Sequence, residues 1–149
     1  MGILAGDHIK AAADEGLPLC AITLLYKEDY FKHRINEQGH QTETYPKFDP
    51  DPLLKKLDFT FPLNLKGKDV QIEVYRLDYT GLSGHILPIY FMDTDLEGNS
   101  VEDRSISLRL YSGNKNHRIL QEAILGFGGI HLLKHLGILD TIETFHMNE

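Results

Sequence analysis

One feature constrains this chain more than any other: a short helical stretch is stopped hard and leads straight into an apolar segment. Residues 5–16 contain Ala11, Ala12 and Ala13, all strong helix formers, and Gly16 is placed to end the helix. Pro18 bars its continuation. Residues 19–26 are then an apolar run bounded by turn signals, the pattern of a fully buried strand. A helix followed at once by a buried strand is the rhythm of an α/β sheet.

The rest of the chain extends that reading. Residues 30–45 read as a polar hairpin turning near Gln38 and Gly39. Pro46, Pro50 and Pro52 mark an irregular connection. Three strands are predicted over residues 57–63, 70–78 and 86–92, with Gly67 as the hairpin turn between the first two. Val70, Ile72, Val74 and Arg76 alternate with Gln71, Glu73 and Tyr75, as in a half-exposed strand. A polar loop spans residues 93–102. The strongest helix is predicted over 116–136, with a wide apolar stripe through Ile119, Leu120, Ala123, Ile124, Phe127, Ile130 and Leu133, and Gly137 at its end. Residues 141–147 predict a short buried strand carrying Asn148 and Glu149 at its carboxyl end. The fold class is therefore α/β with a β-rich insertion in the middle.

Composition narrows the function. With 149 residues, 42% hydrophobic and 25% charged, the chain is globular, and a chain of this length can bury roughly 70% of its unfolded surface. A net charge of −7 argues against general nucleic-acid binding, which needs a basic face. A single cysteine forms no internal disulfide, so nothing points to an oxidising compartment. No apolar run approaches the roughly 20 residues needed to span a bilayer. These features predict a cytoplasmic protein with no nucleic-acid or membrane partner.

Candidate chemistry is sparse when read motif by motif. Gly126, Gly128 and Gly129 lie inside a helix, and their spacing misses the dinucleotide-binding pattern because His131 takes its last position. Close packing of the helix on a sheet explains them better. His131 and His135 share a helix face at a spacing that can hold zinc, but the metalloprotease glutamate is missing, so surface histidines are the commoner case and no metal is assigned. Asp93-Thr94-Asp95 could hold magnesium, although such runs are far more often turns. Cys20 has no charged neighbour and reads as structural. The chain ends carry the other signals. Glycines precede the first helix, whose amino end suits a phosphate or polar substrate, and His146, Asn148 and Glu149 follow the last predicted strand.

These segments are collinear with a known family. Gly2-Ile3-Leu4-Ala5-Gly6-Asp7-His8-Ile9-Lys10, Gly16-Leu17-Pro18-Leu19, Leu24-Leu25-Tyr26 and Tyr30-Phe31 resemble the signature GGLGxLAGDHxK…GLPLxxxxLLYxxGYF. That signature marks the bacterial and archaeal branch of the α-glucan (glycogen, starch, maltodextrin) phosphorylases. Tyr90 to Asp95 resembles "YLLDTD"; Glu102-Asp103-Arg104 and Leu110 to Asn114 resemble "EDR…RLYGGD". Arg118-Ile119, Gln121-Glu122 and Leu125 to Gly129 resemble "RIxQExxLGxGG", and His146 to Glu149 the start of "HLNEGHAAF".

The resemblance implies a glycosyltransferase B architecture of two Rossmann-like domains, of which this chain would be an incomplete part of the amino-terminal, glucosyl-binding one. It implies retaining phosphorolysis of α-1,4-glucans by inorganic phosphate, with pyridoxal phosphate as cofactor. The lysine that carries the cofactor is expected in a carboxyl-terminal domain outside this chain, since Lys10, Lys27 and Lys134 match no such motif. A homo-oligomeric full-length enzyme is compatible with it. By the same resemblance Gly2 closes the family's glycine loop, Tyr111 to Lys115 corresponds to a gating loop with Asn114 as a substrate-binding residue, and Asn148 and Glu149 face the glucosyl subsite. The chain would thus open inside the glycine loop, where a Gly-Gly or Gly-Leu would precede Met1, and close inside a strand-end site, where Gly-His would follow Glu149. Its central strands would then lack partners. Two further readings stay open: a non-catalytic glucan-binding or interaction remnant, and an unrelated metal-dependent hydrolase using His131 and His135.

Overall fold

The computed structural model describes residues 2–28 and 30–147. The alanine-rich stretch forms helix α1 (Gly2–Asp14). It closes as the sequence predicts: Gly16 N–H donates to the Ala13 carbonyl and Leu17 N–H to that of Ala12. The apolar run supplies strand β1 (Ala21–Leu24), but as a half-buried edge strand rather than a fully buried one. Among the described residues, one of its two backbone edges finds a neighbour, β6.

The polar hairpin forms from β2 (Lys32–Ile35) and β3 (Gln41–Thr44), exposed throughout. Its turn is held by Asn36, whose side-chain oxygen accepts from the Gln38 and His40 amides at 3.0 and 2.8 Å. The remaining strands are β4 (Lys55–Leu65), β5 (Lys68–Thr80) and β6 (Ile86–Asp93). Lys66 and Gly67, both at positive φ, make the two-residue turn between β4 and β5.

The main sheet has the order β1-β6-β5-β4, with β1 parallel to β6 and the other pairs antiparallel. The architecture is mixed α/β, and the described sheet contains a single parallel pair. The central strands β5 and β6 are paired on both sides within the chain, contrary to the expectation that they would lack partners. Burial follows: Glu73 and Tyr75, on the face of β5 predicted to be exposed, are buried.

Strand alternation sorts the core onto two faces. Val70, Ile72, Val74, Tyr90 and Met92 pack with Ile124 and Leu132 of the carboxyl-terminal helices. On the opposite parity, Leu87, Ile89 and Tyr79 pack against Ala12 and Ala13 of α1. A short helix, α2 (Val101–Arg104), starts inside the predicted polar loop, capped by Ser100.

The predicted long helix is continuous in direction but not in winding. Helix α3 (Lys115–Ala123) passes through a π-helical turn (Ile124–Gly128) into α4 (Gly129–His135). The buried row runs Gln121, Ile124, Gly128 and Leu132, with Gly129 and Leu133 beside it. Ile119 and Phe127, both in the predicted apolar stripe, are 59% and 68% exposed. Gly128 serves close packing as predicted, since a Cβ there would lie 3.3 Å from Met92 Sδ; Gly126 faces open space.

The predicted strand over 141–147 is not formed. A 3-10 turn (Leu139–Thr141) leads into residues that make no strand pairing, with Phe145 and Met147 exposed. Side-chain alternation alone does not make a strand: the backbone groups need a ladder, and none of the described strands offers one here.

Candidate functional site

In open α/β sheets the carboxyl ends of parallel strands face the ligand. Here β1 and β6 end in register, Leu24 beside Met92, and each delivers charge just beyond. Lys27 follows β1; its ammonium lies 2.5 Å from Asp93 Oδ2 at the end of β6 and 3.4 Å from Asp95 Oδ2. Burial would lower the Lys27 pKa, but the two carboxylates outweigh it and raise it. Burial would likewise raise the carboxyl of Asp95, yet the 2.7 Å hydrogen bond from Arg104 Nε and the charge of Lys27 hold it below the usual carboxylate range.

Asp93 is fully buried. Its Oδ1 accepts from Ser107 Oγ at 2.8 Å and from the Asp95 amide at 2.9 Å. Buried Thr94 and Ser107 bond reciprocally, so the 93–95 turn and the 105–107 segment form one polar block. The Asp93-Thr94-Asp95 run, considered above for magnesium, is thus a turn whose charge is met by Lys27 and Arg104.

Beside this block lies a cleft of about 610 Å³, within the range of small-molecule sites. It is lined by Tyr26, Tyr30, Phe31, Tyr45, Phe48 and Tyr111, together with Glu28, Arg109 and residues 110–113. Burial raises the Tyr26 phenol, keeping it a neutral donor. Arg109 donates to Glu28 through both Nε (3.1 Å) and Nη2, and its guanidinium lies 3.8 Å from the centre of the Tyr45 ring.

The loop on the far wall is tightly built. Tyr111 has φ +54°, an uncommon value for a non-glycine residue, and carries the Arg118 guanidinium 4.9 Å from its ring centre. Gly113, at φ +77°, sits where a Cβ would lie 2.6 Å from the His117 side chain. Burial lowers the His117 pKa, and its Nε2 lies 3.3 Å from Ser112 Oγ.

Of the residues named from sequence, Gly2 begins α1. Asn114 is the N-cap of α3, its side chain accepting from the His117 amide at 3.1 Å. Asn148 and Glu149 lie outside the described residues. The neighbouring His146 is described, and its ring meets His8 of α1 edge to face at 5.2 Å.

His131 and His135 do not converge on a metal; their rings stack on Phe61 and Phe59. No group of three His, Cys, Asp or Glu among the described residues could hold a metal ion. Burial raises the Cys20 thiol, consistent with a structural role. Pyridoxal phosphate does not fit the lysines considered for it: Lys27 is held protonated in its ion pairs, and Lys10 and Lys134 are exposed. No described helix is long and apolar enough to cross a membrane.

Sequence reasoning missed the cleft and the Glu28–Arg109–Tyr45 set. A signal for it exists: five of the seven tyrosines and seven phenylalanines fall within residues 26–48. Nothing local pairs them with Arg109.

Relatives supply an independent comparison. No protein-family model matches the chain. Over its whole length the chain is 43% identical to the maltodextrin phosphorylase of Thermococcus litoralis and 36% identical to the glycogen phosphorylase of Mycobacterium tuberculosis, covering 18% of each. It is 35% identical to the glycogen phosphorylase of Aquifex aeolicus, covering 22%. The chain thus spans about a fifth of the length of these relatives. The resemblance read from its motifs is a similarity, along every part of this chain, to a segment of the bacterial and archaeal maltodextrin and glycogen phosphorylases.

Proposed function

We propose that this chain is part of the amino-terminal, glucosyl-binding domain of an α-glucan phosphorylase of glycosyltransferase B architecture with Rossmann-like domains. That enzyme cleaves α-1,4-glucans with inorganic phosphate to release glucose 1-phosphate. The observation that carries the proposal is the similarity to maltodextrin and glycogen phosphorylases across the entire chain. The cleft adds physical support. Its aromatic rings offer flat apolar faces to sugar rings, while the Tyr26 phenol and the Ser112 hydroxyl offer polar groups to hydroxyls.

In this reading Gly2, Asn114, Asn148 and Glu149 contribute to the glucosyl subsite, and the described segments next to Gly2 and Asn148 touch through His8 and His146. Pyridoxal phosphate and the groups that hold inorganic phosphate belong to the carboxyl-terminal domain. The setting is cytoplasmic, and the full-length enzyme is open to homo-oligomerisation.

A second reading, a glucan-binding module without catalysis, is favoured by the aromatic lining of the cleft, whose ring faces can hold a sugar without any cofactor. One experiment separates the two. The chain is titrated with maltoheptaose, then mixed with the remaining portion of the Thermococcus litoralis enzyme while glucose 1-phosphate release is followed. Saturable binding with release on mixing supports the phosphorylase reading; binding without release supports the module; no binding overturns the glucan assignment of the cleft.

A further inference from the structure

Three chain segments build the cleft, and they meet at one side chain. The first segment contains Tyr26, Glu28 and Phe31, the second Tyr45 and Phe48, and the third Arg109 to Gly113. The backbone joins them at Glu28, which bridges to Lys47 and to Arg109: Glu28 N–H donates to Leu108 O at 2.9 Å, and Phe48 N–H to Lys27 O at 2.7 Å. Arg109 crosses all three segments. Its guanidinium is held by Glu28 and lies over the Tyr45 ring, 3.8 Å from its centre, while its own carbonyl accepts from Ser112 Oγ and from the Gln121 side chain, both at 2.9 Å. Gln121 is buried, and it also donates to Ile106 O, so the far end of the clamp is anchored in the helix that packs on the sheet.

We propose that Arg109 is a positioning residue that sets the width of the aromatic cleft for an oligosaccharide, acting through the plane of Tyr45 and the carboxylate of Glu28. The ligand named here rests on the phosphorylase reading above; the clamp itself rests on the contacts. An ammonium can replace the charge at this place but not the planar face, so lysine is the discriminating substitution. Arg109→Lys keeps a cation for Glu28 and removes the stack on Tyr45. Tyr45→Leu removes the same stack from the other side and leaves Arg109 in place.

The test uses the whole chain and three readouts: affinity for maltoheptaose, the unfolding midpoint and amide hydrogen exchange. Arg109→Lys is expected to weaken maltoheptaose binding about tenfold. It should leave the unfolding midpoint within about 2 °C of the parent. The Glu28 and Phe48 amides should exchange about tenfold faster while the amides of β5 stay unchanged. Tyr45→Leu should do the same, and the double variant should lose no more affinity than either single one, because both remove one shared contact. Parent-like affinity and exchange in Arg109→Lys overturn the proposal, and so do single losses that multiply in the double variant. If the parent itself binds no maltoheptaose, the phosphorylase reading of the cleft fails, and the exchange rates at Glu28 and Phe48 alone decide the clamp.

Discussion

Asp93 shows how a single buried carboxylate organises its surroundings. It is fully enclosed and is held by the Lys27 ammonium, the Ser107 hydroxyl and the Asp95 amide. Replacing it by alanine would strand the Lys27 charge in a mostly buried place. Asp93→Ala should therefore cost about 3 kcal/mol, read as a lower midpoint in urea denaturation; a change within about 0.5 kcal/mol, the range of ordinary surface substitutions, would show that the pair is not structural. The same network sets the pH response. Lys27 is raised on folding, so its contribution is present below its ordinary value of 10.5 and is lost as pH climbs through the higher folded value. Asp95 is lowered, so its contribution is present above its ordinary value of 3.8 and fades as pH falls through the depressed one. The unfolding midpoint should be level across the neutral range and fall at both extremes. Asp95→Asn should flatten the acid side; an acid limb unchanged in that variant would remove Asp95 from this account. The sequence displays the Asp-Thr-Asp run plainly. It does not display that Lys27 answers it, because the contact depends on β1 and β6 lying side by side.

Helix winding is the main lesson at the level of elements. Helical periodicity locates the segment from Lys115 to His135 well, and Gly137 ends it as predicted, with φ +70°. The periodicity places Ile124 and Leu133 on the buried face correctly but not Ile119 and Phe127, which are exposed; the segment also carries a π turn that no local pattern announces. The glycines at that turn make the difference measurable. Gly126 is exposed and a Cβ there meets nothing within 4 Å, so Gly126→Ala should stabilise by up to about 1 kcal/mol through helix propensity. Gly128 faces Met92 and Ile72 at 3.3 and 3.5 Å from a Cβ, so Gly128→Ala should instead destabilise by about 1 kcal/mol through overpacking. Thermal denaturation of the two variants checks both signs; equal effects would mean that the two glycines share one environment. Strands behave similarly. Residues 57–63, 70–78 and 86–92 were legible because alternation and the Gly67 turn are local signals. Residues 141–147 have a strand-like pattern without a strand, since pairing is not local.

The whole molecule joins a mixed sheet, helices on both its faces and an aromatic cleft beyond the carboxyl ends of its parallel pair. Under the proposal that the cofactor lysine lies in the carboxyl-terminal domain, the chain alone should retain no pyridoxal phosphate after dialysis and release no glucose 1-phosphate from maltoheptaose and phosphate. Absorbance in the cofactor band and a coupled assay for the product check this; retention or turnover would place the catalytic groups inside this chain. Among the described residues, β1 forms the edge of the sheet opposite β4, and Phe145 and Met147 are exposed. By itself the sequence determined where helices stop, where hairpins turn, which segments alternate, and which family the ordered motifs resemble. Those properties depend on neighbouring residues, whose steric preferences and side-chain spacing act within a few positions. Only the tertiary structure decided which strands pair, which helix face is buried, that Lys27 neutralises Asp93, and that Arg109 bridges three distant segments over Tyr45. Each of these depends on which surfaces the folded chain brings within contact distance, and no local pattern encodes that distance.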